Sequence, residues 1–319
     1  MRRYILPLAA LLAAAPLAAQ GDPQCNNLNP AVQNACNAAV DALKAFHPLA
    51  GVIVSGGDPI LGRAGTLGGF GHFTLSARVN AVRVAIPDPS QATRDTVHSS
   101  VNTLAPAPVV EAGLGVYNGL GHDGGLLAVD LLGSATLLPT TQVSGLSVDP
   151  GAAHVGSLAL GLGYGARVGI LPGSFPIPSL SVSVMRRTLP RVQFGSLSPT
   201  GDQFEFDTDL QAWNYRVTAG LRLLFFDVAA GVGLDHYTST AHIRYYNAPP
   251  ATTVDTVTEN LANTRQLLFV DAGMNLALFK LVAEAGLQTG KDQQFSGHTY
   301  DFDPKAGHAF FGAGVRFSF

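Results

Sequence analysis

The sequence predicts an all-β fold: an up-and-down transmembrane antiparallel β-barrel of about ten strands, within roughly 8 to 14, preceded by one helix. Three observations predict it. Charged residues make up only 13% of the chain, about half the ~25% usual for soluble domains, and the mean hydropathy is positive at +0.23. No run of about 18 consecutive apolar residues follows residue 20, which argues against transmembrane helices. The apolar residues alternate instead with small or polar ones in short segments, and a closed barrel lets such segments satisfy every backbone group in lipid.

The elements follow in chain order. Residues 1–20 carry Arg2 and Arg3, an apolar run from Tyr4 to Ala19 and a small-residue exit, the pattern of a secretory signal peptide. Residues 21–70 form a second unit. Asn29 and Pro30 suit the N-cap and first position of a helix. Val32, Cys36, Ala39, Val40, Leu43 and Phe46 then recur at helical spacing, and Pro48 is expected to stop a helix of about four turns. A stripe on a lone helix must be buried, so the helix is expected to plug the lumen or cap the periplasmic mouth. A glycine-rich connector, 55–69, leads on to the barrel, residues 71–319. Cys25 and Cys36 are expected to pair in an oxidising compartment, closing a short loop worth about 2–3 kcal/mol.

Ten alternating segments follow, at 72–86, 108–118, 125–138, 157–170, 178–192, 209–224, 227–246, 263–278, 280–290 and 308–319. Gaps after the odd segments are long (87–107, 139–156, 193–208, 247–262, 291–307). Those after the even ones are short (119–124, 171–177, 225–226 and the single residue 279). Long outer loops alternating with tight periplasmic turns is the up-and-down pattern. The last segment sets Ala313, Val315, Phe317 and Phe319 on one face and Gly312, Gly314, Arg316 and Ser318 on the other. This ending resembles the closing strand of bacterial outer-membrane β-barrels. The resemblance implies the outer membrane of a Gram-negative bacterium, recognition of Phe317 and Phe319 by the barrel-assembly machinery, and contact with outer-membrane lipid and lipopolysaccharide.

The period of two also assigns faces. Phe73, Leu75, Val79, Leu131, Leu162, Tyr164, Trp213, Tyr215, Val217, Val232, Leu268, Val270 and Phe311 are expected to face lipid. Arg78, Glu111, Asp130, Arg167, Arg216, Arg222, Asp271, Glu284 and Arg316 are expected to line the lumen. Such a set either cross-links a narrow wall as ion pairs or sets the selectivity of a wider pore. Asp235 and His236 are adjacent on one segment and so point to opposite faces. Ser181 and Ser183 lack a nucleophile elbow, and the histidines lack the pairing of a zinc helix, so no catalytic residue, metal or cofactor is expected. Met185-Arg186-Arg187 lies towards the outer end, where the adjacent arginines are expected either to be solvated or to contact lipopolysaccharide phosphates. The net charge of −3 argues against nucleic acid.

Asn29-Pro30-Ala31 near the N-terminus resembles the hatch region of the outer-membrane long-chain fatty-acid transporter family, and implies passage of a hydrophobic solute past a plug. The expected function is a passive pore or plug-gated transporter for small or hydrophobic solutes. The alternatives are a structural surface anchor or adhesion barrel, and an outer-membrane hydrolase.

Overall fold

In a computed structural model of the chain, residues 22–26, 28, 30–87, 96–97, 99–120, 126–139, 146–149, 151–198, 201–246, 254–291, 294–296, 299–300 and 307–319 are described. Helix α1 (Pro30–Ser55) is followed by ten barrel strands. These are β1 (Phe73–Pro87), β2 (Ser99–Tyr117), β3 (Val129–Pro139), β4 (Leu158–Leu171), β5 (Ser179–Phe194), β6 (Phe204–Leu223), β7 (Phe226–Tyr246), β8 (Val254–Leu276), β9 (Phe279–Gly290) and β10 (His308–Ser318). Each strand pairs antiparallel with its neighbours in sequence, and β10 pairs with β1 from Thr74↔Ser318 to Val82↔Phe310, closing the barrel. The seam ends on reciprocal backbone hydrogen bonds between Phe73 and Phe319, whose rings stack at 4.8 Å. Residues 1–20, expected to be a signal peptide, and Asn29, expected to cap the helix, lie outside the described residues.

Alternation puts apolar side chains on the outer wall, where Leu131, Leu162, Val217, Val232, Leu268 and Val270 are exposed. Aromatic residues edge this band. At the turn end stand Phe73, Phe226, Phe279, Phe317 and Phe319. Towards the loop end, Tyr164, Arg186, Trp213 and His236 fall in one register row across β4–β7. Phe226 to His236 is ten residue steps along β7. At ~3.3 Å per residue and a tilt near 40°, the band is roughly 25 Å tall, the height of a transmembrane barrel's apolar belt.

Several boundaries differ from expectation. Strands β2, β6 and β8 start at Ser99, Phe204 and Val254, nine, five and nine residues before the segments read from sequence. These extensions stand above the aromatic row, where lipid no longer demands outward apolar residues, so the alternation fades while the ladder continues. The β6–β7 and β8–β9 turns fall at 224–225 and 277–278, and Phe279 opens β9.

Helix α1 is also longer, 26 residues with Pro48 inside it. Proline removes one helical hydrogen bond and normally ends a helix. Here Leu49, Ala50, Val52 and Val54 continue the apolar sequence and are buried, so burial within the barrel overrides the local break. Val32–Ser55 is long and apolar enough to cross a membrane by composition, yet it lies buried inside the wall. Small residues such as Ala38, Ala39, Ala42 and Gly51 let a helix about 10 Å wide fit within ten strands. The Cys25–Cys36 disulfide is formed.

The inner wall is not uniformly polar. Its outer half is apolar: Phe194, Phe204, Phe206, Tyr237, Ile243 and Val257 join Val32, Val40, Leu43, Phe46 and Leu49 of α1 in one core. Charged groups are concentrated in the half nearer the turns.

Candidate functional site

The N-terminal segment threads the barrel from the loop end. Near its start, the Gln24 amide donates to Thr258 O at 3.2 Å and to Glu259 Oε1 at 2.6 Å, high on β8. Further along α1, Asp41 accepts from the Ser296 backbone N–H at 2.8 Å and from its hydroxyl at 2.8 Å, in the β9–β10 loop. The helix ends at mid-barrel, and the connector continues to the turn end, where Leu67 N–H reaches Asp130 at 3.1 Å. The lumen is occupied along this whole path.

Where α1 ends, its last carbonyls have no helical partners. The wall supplies them. Asn80 Nδ2 donates to Ile53 O at 2.9 Å, and Arg187 Nη1 donates to Val54 O at 2.7 Å and to Ser55 O. A cation here also complements the negative end of the helix dipole. Arg216 continues the pattern, with Nη2 to Gly56 O at 3.0 Å and Nε to Gly57 O at 2.9 Å. Arg78 donates to Asp58 O at 3.1 Å, Arg316 to Leu61 O at 2.5 Å, and Arg167 to Arg63 O at 2.6 Å. The Ser181 hydroxyl donates to Ala64 O at 2.5 Å.

Carboxylates of the wall take the amides. Glu284 accepts from Gly57 N–H at 2.9 Å and Asp58 N–H at 2.7 Å. Gly57 permits this approach, because a Cβ there would lie 2.7 Å from both Glu284 Cδ and Phe269 Cγ. Gly56 holds φ near 57°, which turns the chain out of the helix beneath Arg78. Ion pairs join the same groups: Arg78 with Glu111 at 2.8 Å, Arg216 with Asp235 at 2.5 Å, Arg187 with Glu111 at 3.2 Å, and Arg167 with Asp58. Asp271 stands opposite Glu284 in register.

Of the residues expected in the lumen, Arg78, Glu111, Asp130, Arg167, Arg216, Asp271, Glu284 and Arg316 are buried on the inner wall. Arg222 departs from them. It sits at the turn-end rim with its side chain 65% exposed, 3.4 Å from Asp227, because β6 runs past the end of β5 there. The adjacent arginines separate: Arg187 turns inward, while Arg186 lies outside, 5.8 Å over the Trp213 ring and bonded to Gln211. Asp235 and His236 point to opposite faces, Asp235 to Arg216 and Tyr237, and His236 to Thr264.

Arg187, Asp235 and Asp58 belong to this network and fall outside the expected lumen set. Arg187 shares its parity with Ser181 and Ser183, and Asp235 shares the inward parity of Asp227 and Gly233, so both were legible. Asp58 belongs to an irregular segment, where no period shows where it points. Among the described residues no group of His, Cys, Asp and Glu is arranged to hold a metal.

A closed wall, a 25 Å apolar band and aromatic edges decide the setting. The chain is a membrane-spanning β-barrel of the outer-membrane type. No family model matches it, and neither does any curated protein sequence. It is similar to solved outer-membrane barrels. The translocator domain of the autotransporter NalP from Neisseria meningitidis shares 11% identity, over 88% of this chain and 98% of that one, with a TM-score of 0.46. Ail, the attachment invasion locus protein of Yersinia pestis, shares 8% over 78% and 99%, with a TM-score of 0.31. The Pseudomonas putida toluene transporter TodX shares 11% over 77% and 88%, with a TM-score of 0.28. These likenesses are of fold alone.

Proposed function

We propose that this chain is a sealed structural barrel, a surface anchor that presents its cystine-closed N-terminal loop and the extensions of β6–β8 outside the cell. The observation that carries this reading is the direction and packing of α1. It enters from the loop end and is bolted there into an apolar core. Val32, Val40, Leu43, Phe46, Leu49, Val52 and Val54 are each at most 8% exposed. Returning such side chains to water costs about 1.5–3 kcal/mol each. Ejecting the helix would cost roughly 10–20 kcal/mol, as much as the whole stability of a domain. A helix held that firmly acts as part of the wall and not as a gate.

Plug-gated passage of a small or hydrophobic solute is the second reading, and one observation favours it. The connector, 56–67, is held mostly by polar contacts and borders an open crevice at the turn end, so it could shift while α1 stays seated. An epitope inserted between residues 21 and 22 tests the outward presentation on which the anchor reading depends. Antibody should bind intact cells; binding only after the outer membrane is permeabilised would put the N-terminal loop on the periplasmic side and overturn the reading.

A further inference from the structure

The turn end is asymmetric. Strand β5 begins at Ser179, opposite Gly220, while β6 continues through Leu221, Arg222 and Leu223 before β7 returns at Phe226. On the β5 side, the edge of β6 at Leu221–Leu223 therefore has no partner strand. Beside it runs the β4–β5 turn, with Phe175 74% exposed and Ile177 58% exposed. The hairpin tip, that turn and the connector residues Gly62–Thr66 enclose a crevice of about 960 Å³. It opens both below the rim and through the wall, since Leu221 and Leu223 belong to the lipid face while Arg222 belongs to the inner face.

Its charge is lopsided. Among the described residues Asp227 is the one carboxylate lining the crevice, and it is shared by three cations: Arg222 at 3.4 Å, Arg316 at 3.6 Å, and Lys280. Arg63 lines the connector side. Arg63 donates Nε to Gly65 O at 3.2 Å and Nη2 to Thr66 O at 2.6 Å, which fixes its guanidinium at the crevice. The site thus combines a net positive lining, two arginines against the one Asp227, with an apolar outer lip, at the depth of the periplasmic leaflet, which is built of phospholipid. Guanidinium groups bind phosphate oxygens in paired, charge-assisted contacts. The volume lies at the upper end of small-molecule sites, room for a headgroup, the glycerol and part of a chain.

We propose that this crevice binds an anionic phospholipid of the periplasmic leaflet, with its phosphate at Arg222 and Arg63 and its acyl chain along Leu221, Leu223, Phe175 and Ile177. The bound lipid fills the step left where β5 stops short. This site is independent of the anchor reading above.

The test uses the full chain, refolded in detergent and measured by native mass spectrometry with phosphatidylglycerol as the probe. Phosphatidylethanolamine, lipopolysaccharide and inorganic phosphate are run as separate arms. One phosphatidylglycerol should be retained per barrel, and Arg222→Gln should lower retention about tenfold. Arg222 is largely exposed, so this variant is expected to fold; Phe175→Ser provides a second, apolar arm and should also release lipid. Millimolar phosphate should not displace the lipid. Three results would overturn the proposal: retention unchanged in both variants, equal retention of phosphatidylethanolamine unaffected by Arg222→Gln, or displacement by phosphate or lipopolysaccharide.

Discussion

Replacing Arg216 with methionine tests how the wall holds the connector. Methionine keeps much of the apolar stem but removes the guanidinium contacts to Asp235 at 2.5 Å, Gly57 O at 2.9 Å, Gly56 O at 3.0 Å, Tyr215 O at 3.1 Å and Leu234 O at 3.5 Å. The larger loss is at Asp235, fully buried, which would keep only Asn214 at 2.8 Å and the Tyr237 hydroxyl at 2.7 Å. Removing one partner of a buried ion pair costs about 3–5 kcal/mol, chiefly because the other charge is left uncompensated. Neutralising that charge should therefore rescue: Arg216→Met/Asp235→Asn should be about 1–3 kcal/mol more stable than Arg216→Met alone. Urea unfolding in lipid vesicles, followed by fluorescence of the single tryptophan, Trp213, gives both values. The reasoning is refuted if Arg216→Met stays within about 1 kcal/mol of the parent, or if Asp235→Asn lowers stability equally in both backgrounds.

Gly51→Val should destabilise by at least about 1–3 kcal/mol, since even a Cβ there would lie 2.5 Å from the buried Tyr237 ring; the melting temperature reads this, and an unchanged value would place the helix elsewhere. Cys25→Ser/Cys36→Ser should lose about 3 kcal/mol, from the 11-residue sequence separation of the pair, and the parent under reductant should unfold at the same urea concentration. Deleting Phe319 removes the Phe73 ring stack and the last backbone pair of the seam. The yield of folded barrel in cells should fall several-fold, and equal yields would show that neither is needed for assembly. Brominated lipids should quench Trp213 most strongly when the bromine lies near the headgroups, as its place in the register row requires; strongest quenching from the chain ends would misplace the apolar band.

The barrel was legible where lipid enforced it. Along β7, Val228, Val232 and Leu234 must face hydrocarbon while Asp227 and Asp235 cannot, so the period of two is written into the sequence. Above Trp213 that constraint ends. On β6 the residues of outward parity become Asp209, Asp207 and Glu205, while Leu210, Phe206 and Phe204 are buried on the inner side, a pattern that no longer reads as a membrane strand. Pro48 misleads for a different reason: local propensity forecasts a stop, but Leu49–Val54 gain more from burial inside the wall than one lost hydrogen bond costs. The inward charges were visible by parity, but their partners were not. Arg78, Arg167 and Arg316 bond to backbone carbonyls of the connector, and backbone groups leave no trace in side-chain patterns. Arg222 shows the converse: its parity is that of the lumen, yet the extra length of the β6–β7 hairpin carries it past the rim.

Single-channel recording of the full chain in planar bilayers tests the central claim most directly, that the N-terminal segment seals the lumen. With folding verified on the same sample, the account predicts no conductance steps. Regular steps from the intact, disulfide-closed protein would contradict it and restore an open pore lined by the inward arginines and carboxylates.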